Sequence, residues 1–366
     1  MWNPGREEAA ARPGILAPAR GLTCLDFPRG PAYKSQWVSA GARRARRAPG
    51  ERCMRVVESV VELIGQTPMI RLGALKEPGE SDIYAKLEYL NPGMSVKDRT
   101  ALGLVRAAEE SGALRPGGTI LEATAGNTGV GLALVGVSRG YRVLIVMVEG
   151  YAREKMVLIR GLGGEVVLVP HEAGIAGAVA KAAELAAAIP GAVPMRQFEN
   201  SANPTVHYET TGPEIWEQLE GRVDGIALGV GTGGTFTGVA RFLKERNPSI
   251  ECWGVEPPDS IYGGSDGKGE HMVEGIGNAF FPATFDRALA DGVFTIPHSE
   301  SYAMVDALGR MGLTAGASSG AAVAGAKRLA RRLGEGKRVV TLLSDPSERY
   351  FSKYVYDGRY EGRRIS

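Results

Sequence analysis

The stretch DGIALGVGTGGTFTGVARFLKERNP, residues 224–248, decides how the chain is read. It opens as a short apolar run that ends at Val230 and continues, from about Gly234, as a helix. Between the two lies Gly231-Thr232-Gly233-Gly234-Thr235. Consecutive glycines let backbone N–H groups converge, the threonines add hydroxyl donors, and the start of a helix favours a negative guest. The loop is therefore a phosphate cup. It lacks the lysine that a nucleoside-triphosphate loop carries after its glycines, and it is not spaced G-x-G-x-x-G, so a terminal phosphate monoester fits it better. Standing alone, the same residues also describe a tight strand-to-helix turn.

The strand–loop–helix pattern repeats along the chain from residue 55 onward. Strands are expected at 82–88, 119–124, 142–148, 165–170, 224–231, 251–257 and 338–344, and helices at 97–111, 127–139, 153–161, 174–189, 234–246 and 319–333. Runs such as RVLIVMV (142–148) are apolar on both faces, as strands covered by helices on both sides require. Alternation of this kind predicts an α/β fold with open, mostly parallel sheets, in which ligands bind beyond the carboxyl ends of the strands. That rule selects the loops to read.

Three further loops stand in that position. EATAGNTGVGLAL (122–134) would offer Thr124, Ala125, Gly126, Asn127 and Thr128 at a helix start, a setting for a carboxylate or, more plainly, an Asn127 or Thr128 cap. TAGASSGAAVAGAKRLA (314–330) enters an alanine-rich helix through Ser318 and Ser319, which alone reads as a serine cap. NPGMSVKDRTA (91–101) places Lys97 between a Pro-Gly turn and a helix. A lone lysine there is most simply a solvated first-turn residue. Lysine, phosphate cup, carboxylate loop and serine together describe a site for pyridoxal 5'-phosphate, with the lysine available for a Schiff base.

Composition bounds the alternatives. The 366 residues are 44% hydrophobic and 23% charged, and 43 basic against 41 acidic residues leave a formal charge of +2. No global field points to nucleic acid or a membrane surface. The three cysteines (Cys24, Cys53, Cys252) and four histidines (His171, His207, His271, His298) are dispersed, so no disulfide framework or metal site is expected. Cys252 falls inside an expected strand and reads as a packed core residue. Residues 1–54, rich in Arg, Ala, Pro and Gly, are expected to be disordered or to result from a misassigned start; a transit segment is disfavoured because Ser35 and Ser39 are the only serines there. A reducing cytoplasm suits the cysteine usage.

From about Val57 to Tyr354 the chain resembles the cysteine synthase and cystathionine β-synthase family of fold type II pyridoxal-phosphate enzymes, most closely O-acetylserine sulfhydrylase-like cysteine synthases. The matching stretches are IGQTPMIRL (64–72), NPGMSVKDR (91–99), EATAGNTGVGLAL, QFENSANPTVHYETTGPEIW (197–216), GVGTGGTFTGV (229–239), EGIGNAFFP (274–282) and ASSGAAVA (317–324). The resemblance implies two doubly wound domains of tryptophan synthase β type: a smaller mobile one at 91–199 and a larger one from 55–90 and 200–360. It implies that Lys97 holds the cofactor and acts as the base. Gly231, Thr232, Gly233, Gly234 and Thr235 would hold its phosphate, Asn127 its ring hydroxyl and Ser318 its pyridine nitrogen. Thr124, Ala125, Gly126, Thr128, Gln197 and Gly275 would hold the substrate. A neutral serine at the ring nitrogen makes a weaker electron sink than a carboxylate, which suits β-elimination with a good leaving group.

The implied reaction is β-replacement on an activated serine, O-acetylserine and sulfide giving cysteine and acetate. Homocysteine, O-phosphoserine or an amine nucleophile are the alternatives, and a non-catalytic metabolite sensor is a remote one. Departures from the family pattern are Ala125 where serine is common, VEGYAREK (148–155) without the usual Pro and Met-Ser, Ser201 for proline, and SDPSERY (344–350) in a rearranged order. A homodimer, and a serine acetyltransferase as partner, are further implications. The SFKxRGA motif of threonine dehydratases is absent, the chain reading Ser95-Val96-Lys97-Asp98-Arg99. His207 lies beside the substrate segment, but Lys97 already supplies the base.

Overall fold

The structure is a computed structural model and describes residues 56–124, 126–150, 153–267, 272–353 and 355–356. The expected extension at 1–54, Ala125 and residues 268–271 lie outside the described residues.

In chain order the elements are β1 (Met69–Arg71), β2 (Asp82–Leu87), α1 (Lys97–Glu110), β3 (Thr119–Ala123), α2 (Asn127–Ser138), β4 (Arg142–Val148), α3 (Arg153–Gly161), β5 (Glu165–Val169), α4 (Gly174–Ala188), β6 (Ala192–Pro194), α5 (Ala202–Val206), α6 (Gly212–Gln218), β7 (Gly225–Gly229), α7 (Gly234–Arg246), β8 (Glu251–Glu256), β9 (Gly292–Thr295), α8 (His298–Arg310), α9 (Ala317–Leu333) and β10 (Arg338–Leu343). One sheet runs β1-β2-β10-β7-β8-β9 and the other β5-β4-β3-β6. Every strand pair is parallel except β1 with β2.

Alternation along the strands puts helices on both faces of each sheet. In β7, Ile226 and Leu228 pack with Val239 and Leu243 of α7, while Ala227 between them packs with Ala321 and Val323 of α9. In β4, Val143, Ile145 and Met147 join Leu104 of α1 and Leu132 of α2, and Leu144, Val146 and Val148 join Ala178 and Ala182 of α4. This two-sided burial explains why the strand sequences are apolar throughout. Helices α1 and α2 approach closely because Gly131 has no side chain: a Cβ there would lie 2.9 Å from the carbonyl oxygen of Lys97.

Each expected strand and helix is present within two residues of its expected ends. The sequence reading omitted β1, β6 and β9, which are three or four residues long and show no alternation, and β6 ends in Pro194 on a sheet edge. It also omitted α5, α6 and α8. Pro204 and the Gly212-Pro213 pair look like breakers, yet the chain stays helical through a π turn at His207–Thr211, with Pro213 in the first turn of α6.

Candidate active site

Lys97 is the first residue of α1, and its place is set by the turn before it. Asn91 accepts from the amide of Met94 (2.7 Å), which adopts a left-handed φ of 60°, and the amide of Val96 donates to the carbonyl of Ser344 just beyond β10 (2.9 Å). The lysine is thereby pinned where the end of β10 meets α1. It lines a cavity of about 2010 Å³ lying beyond the carboxyl ends of β3, β7 and β10. Burial lowers the Lys97 pKa, the Asp345 carboxylate opposes that shift and the Lys155 ammonium adds to it. An amine held below its usual range is a better nucleophile and base at neutral pH.

The loop after β7 forms the opposite wall. Its carbonyls are tied outward: Gly231 accepts from the Tyr262 hydroxyl (2.9 Å) and the Asn278 amide (2.6 Å), and Thr232 from the Thr284 hydroxyl (2.5 Å). Because a trans peptide directs N–H opposite to C=O, the amides of Thr232 and Gly233 point away from these anchors. Here α7 begins, its first amide, Gly234, donating to the Thr232 hydroxyl at 3.4 Å. Glycine is required for packing as well. A Cβ on Gly231 would lie 2.2 Å from the Gly275 carbonyl, and one on Gly233, whose φ is +83°, would lie 2.4 Å from Phe285. Thr235 shares a hydrogen bond with His207 Nε2 (3.2 Å).

The β3–α2 loop supplies the third wall. The Gly126 amide donates to the Thr124 hydroxyl (3.1 Å), and Thr128 donates to Oε1 of Gln197 (2.6 Å). Asn203 donates both to the Gln197 carbonyl (2.8 Å) and to the Thr232 hydroxyl (3.0 Å), coupling this wall to the cup. Lys97, Thr124, Gly126, Asn127, Thr128, Gln197, Gly231, Thr232, Gly233, Thr235, Gly275 and Ser318 all line the one cavity. Gly234 stands behind it against Asn203, and Ala125 lies outside the described residues. The residues present fit pyridoxal phosphate: a cup of amides whose glycines are packed too closely against Gly275, Phe285 and Asn203 to carry a Cβ, a half-buried lysine, and polar atoms of Asn127 and Asp345 left buried without a protein partner among the described residues.

The model of a family described as "Pyridoxal-phosphate dependent enzyme" matches residues 60–345. The chain belongs to that family. It is 41% identical over 306 residues to an O-acetylserine dependent cystathionine beta-synthase of Bacillus subtilis, covering 83% of this chain and 99% of that one. It is equally 41% identical over 302 residues to a cysteine synthase of Staphylococcus aureus, covering 82% and 97%. Among solved structures, an O-acetylserine dependent cystathionine beta-synthase from Helicobacter pylori superposes with a TM-score of 0.79 at 41% identity, covering 83% of this chain and all of that one. An O-ureido-L-serine synthase superposes with a TM-score of 0.80 at 38% identity, covering 84% and 98%. This is a pyridoxal-phosphate dependent enzyme of cysteine synthase type, carrying out β-replacement or elimination.

The structure of this pyridoxal-phosphate enzyme adds residues that the sequence reading did not place. Lys155 on α3 is buried in the cavity wall, 2.8 Å from Glu274, with its ammonium 4.3 Å from the centre of the Tyr350 ring. Asp345 is buried beside Asn127 and Tyr350. The rule that ligands gather beyond strand ends points to Asp345, since it follows β10. The expected caps differ from those found: Gly126 precedes α2 and Gly316 precedes α9, so neither Asn127 nor the serines cap a helix with a side chain.

His207 is fully buried, with Nδ1 2.9 Å from Thr211 and Nε2 3.2 Å from Thr100 and Thr235. Burial, with the charge of Arg99, holds its pKa down at about 3. It is a neutral brace behind the cup. Cys252 packs in the core as expected, its thiol pushed up to about 12 by burial. Among the described residues no cluster of side chains could hold a metal, and no helix is long and apolar enough to cross a membrane.

Proposed function

We propose that the chain converts O-acetylserine and sulfide to L-cysteine and acetate. The observation that carries this reading is the convergence on one cavity of Lys97, the Thr124–Thr128 loop with Gln197, and the glycine cup. The bound cofactor supplies an electron sink for the Cα–H bond electrons. The amine of Lys97 anchors it and then takes the α-proton, which the lowered pKa favours. Thr124, Gly126, Thr128 and Gln197 hold the substrate carboxylate, with Ala125 between them. Gly231 to Thr235 hold the phosphate, Asn127 the ring oxygen and Ser318 the ring nitrogen, and Gly275 contributes to substrate binding. Segment 91–199 is the smaller, moving domain, and its closure over bound substrate excludes water. A homodimer in the cytoplasm, with a serine acetyltransferase as a candidate partner, completes this reading.

A second reading replaces sulfide by homocysteine, giving cystathionine. The likeness to the B. subtilis enzyme supports it. The experiment is the visible spectrum of the purified protein with O-acetylserine, O-phosphoserine and serine added separately, followed by mass analysis of the product formed with sulfide or homocysteine. Cysteine formed faster from O-acetylserine and sulfide supports the lead reading. Cystathionine as the faster product favours the second. A protein that stays colourless with added pyridoxal phosphate refutes both.

A further inference from the structure

Asp345 lies two residues beyond β10 and is 1% exposed. Its Oδ2 accepts from Nδ2 of Asn127 at 2.6 Å and from the hydroxyl of Tyr350. Its Oδ1, and Oδ1 of Asn127, are buried without a partner among the described residues. Its backbone carbonyl accepts from Gly316 (3.0 Å), two residues before Ser318. One carboxylate thus touches the side chain assigned above to the cofactor's ring oxygen and lies close in the chain path to the one assigned to its ring nitrogen.

The nitrogen end of the Asn127 amide faces the carboxylate, donating to Oδ2, which offers it only an acceptor. An amide is otherwise free to turn over, because its two ends have nearly the same shape. That nitrogen carries two hydrogens: Asp345 takes one, and the Tyr350 hydroxyl beside it lies within reach of the same amide. The cofactor's ring oxygen needs a donor.

We propose that Asp345 is a positioning residue, whose carboxylate fixes the orientation of the Asn127 amide so that its second hydrogen is the donor to the cofactor's ring oxygen. This rests on the role given to Asn127 under the proposed function. The competing explanation is charge balance alone, since Lys97, Lys155 and Arg349 all feel the Asp345 charge.

The test compares the wild-type holoenzyme with Asp345→Asn, Asn127→Asp and the exchanged pair Asn127→Asp with Asp345→Asn. Three quantities are read: melting temperature, position and pH titration of the visible band, and retention of pyridoxal phosphate during dialysis. Asp345→Asn is expected to shift the band or its titration and to weaken retention about tenfold, as loss of a charge-assisted hydrogen bond does. The exchanged pair restores a donor facing a carboxylate, so its melting temperature recovers. Its band and retention do not, because position 127 then offers no amide hydrogen to the ring. Charge balance alone is separated by Asp345→Glu, which keeps the charge and moves the oxygens: band and retention stay at wild type if charge is the whole effect and shift if orientation is.

The inference is overturned if Asp345→Asn keeps the wild-type band, titration and retention, if Asp345→Glu keeps the wild-type band and retention, or if the exchanged pair recovers all of them. Asp345→Ser serves the same readings if Asp345→Asn does not fold. Tyr350→Phe, which removes the other donor to Oδ2, is expected to lower the melting temperature and leave the band in place; an equal band shift there would also count against Asn127 as the group through which Asp345 acts. A wild-type protein that takes up no pyridoxal phosphate refutes the functional reading itself, whereas a yellow wild type with unaltered variants refutes this inference only.

Discussion

Nζ of Lys155 lies 2.8 Å from Oε2 of Glu274, 119 positions further along the chain. The pair joins α3, on the four-stranded sheet, to the segment that carries Gly275, and Lys353 donates to the same carboxylate. Burial pushes the Lys155 pKa down to about 8, against the pull of Asp345 and Glu154 and with the help of Arg349. The bridge is therefore charged below that pH and lost above it. We expect the KM for the amino-acid substrate to rise severalfold between about pH 8 and 9, and Lys155→Arg to flatten the rise because a guanidinium stays charged. A wild-type KM constant up to pH 10 would remove the bridge from any role in substrate binding. The stability effect has its own sign. Between about 8 and 10.5 the folded chain holds fewer protons here than the unfolded one, so this lysine adds stability as pH rises through that window.

Gly231 and Gly233 test whether the cup is a packed structure or a pliable loop. A Cβ at 231 would meet the Gly275 carbonyl at 2.2 Å, and one at 233 would meet Phe285 at 2.4 Å from a left-handed backbone. Alanine at either position is expected to cost about 3 kcal/mol and to weaken cofactor retention more than tenfold. Gly79, also left-handed (φ +81°) but in open space, is the control, with a cost of about 1 kcal/mol and unchanged retention. Denaturant melts with and without pyridoxal phosphate give both numbers. Equal retention in Gly231→Ala and Gly79→Ala would mean the cup yields.

Much of this site was legible because its parts are local. The cup, the carboxylate loop and the Lys97 turn each announce themselves within a dozen residues, and parallel strands buried on both faces leave long apolar runs. Asn203 and Lys155 act through partners 29 and 119 positions away, and such distances leave no trace in a single sequence. Helices α5 and α6 were hidden because Pro204 and Pro213 mimic breakers, though a π turn carries the chain between them. The extra role of the cup glycines, packing against Gly275, Phe285 and Asn203, was likewise invisible until those neighbours were in place.

Arg99, two residues after Lys97, anchors α1 from below. It is 1% exposed, with Nε 2.8 Å from Glu88 and both terminal nitrogens 2.8 Å from Glu214. Burial alone would raise the Glu88 pKa, but the charge and hydrogen bonds of Arg99 override it and hold the carboxyl at about 2. Arg99→Met leaves Glu88 buried without its fork of donors, and a loss of about 3–5 kcal/mol is expected. Since the folded pKa is depressed, this stabilisation is present above pH 4.5 and disappears as pH falls toward 2. Acid melts should show the wild type losing stability in that window and Arg99→Met losing little more there. Parallel acid profiles for the two proteins would exclude the pairing as the cause.

Glu122 behaves in the opposite sense. It lies in β3, 5% exposed, directly before the carboxylate loop, and accepts from the Gln197 amide at 3.3 Å. Burial raises its pKa to about 8, more than the surrounding backbone donors lower it. The folded chain therefore keeps a proton that the unfolded chain releases above 4.5. The associated stability is full below pH 4.5 and is lost as pH rises through about 8. At neutral pH the side chain is a neutral acid, close in shape to glutamine, and glutamine keeps an oxygen for the Gln197 amide. Glu122→Gln is thus expected to melt within about 1 kcal/mol of wild type at pH 4.5 and to exceed it by a margin that grows up to about pH 8, with an unchanged KM for the amino-acid substrate. Melts across pH 4–9 decide the matter. A large loss at pH 6 would show that the carboxylate is ionised in the fold, and that the loop above it is held by a charge rather than by a shape.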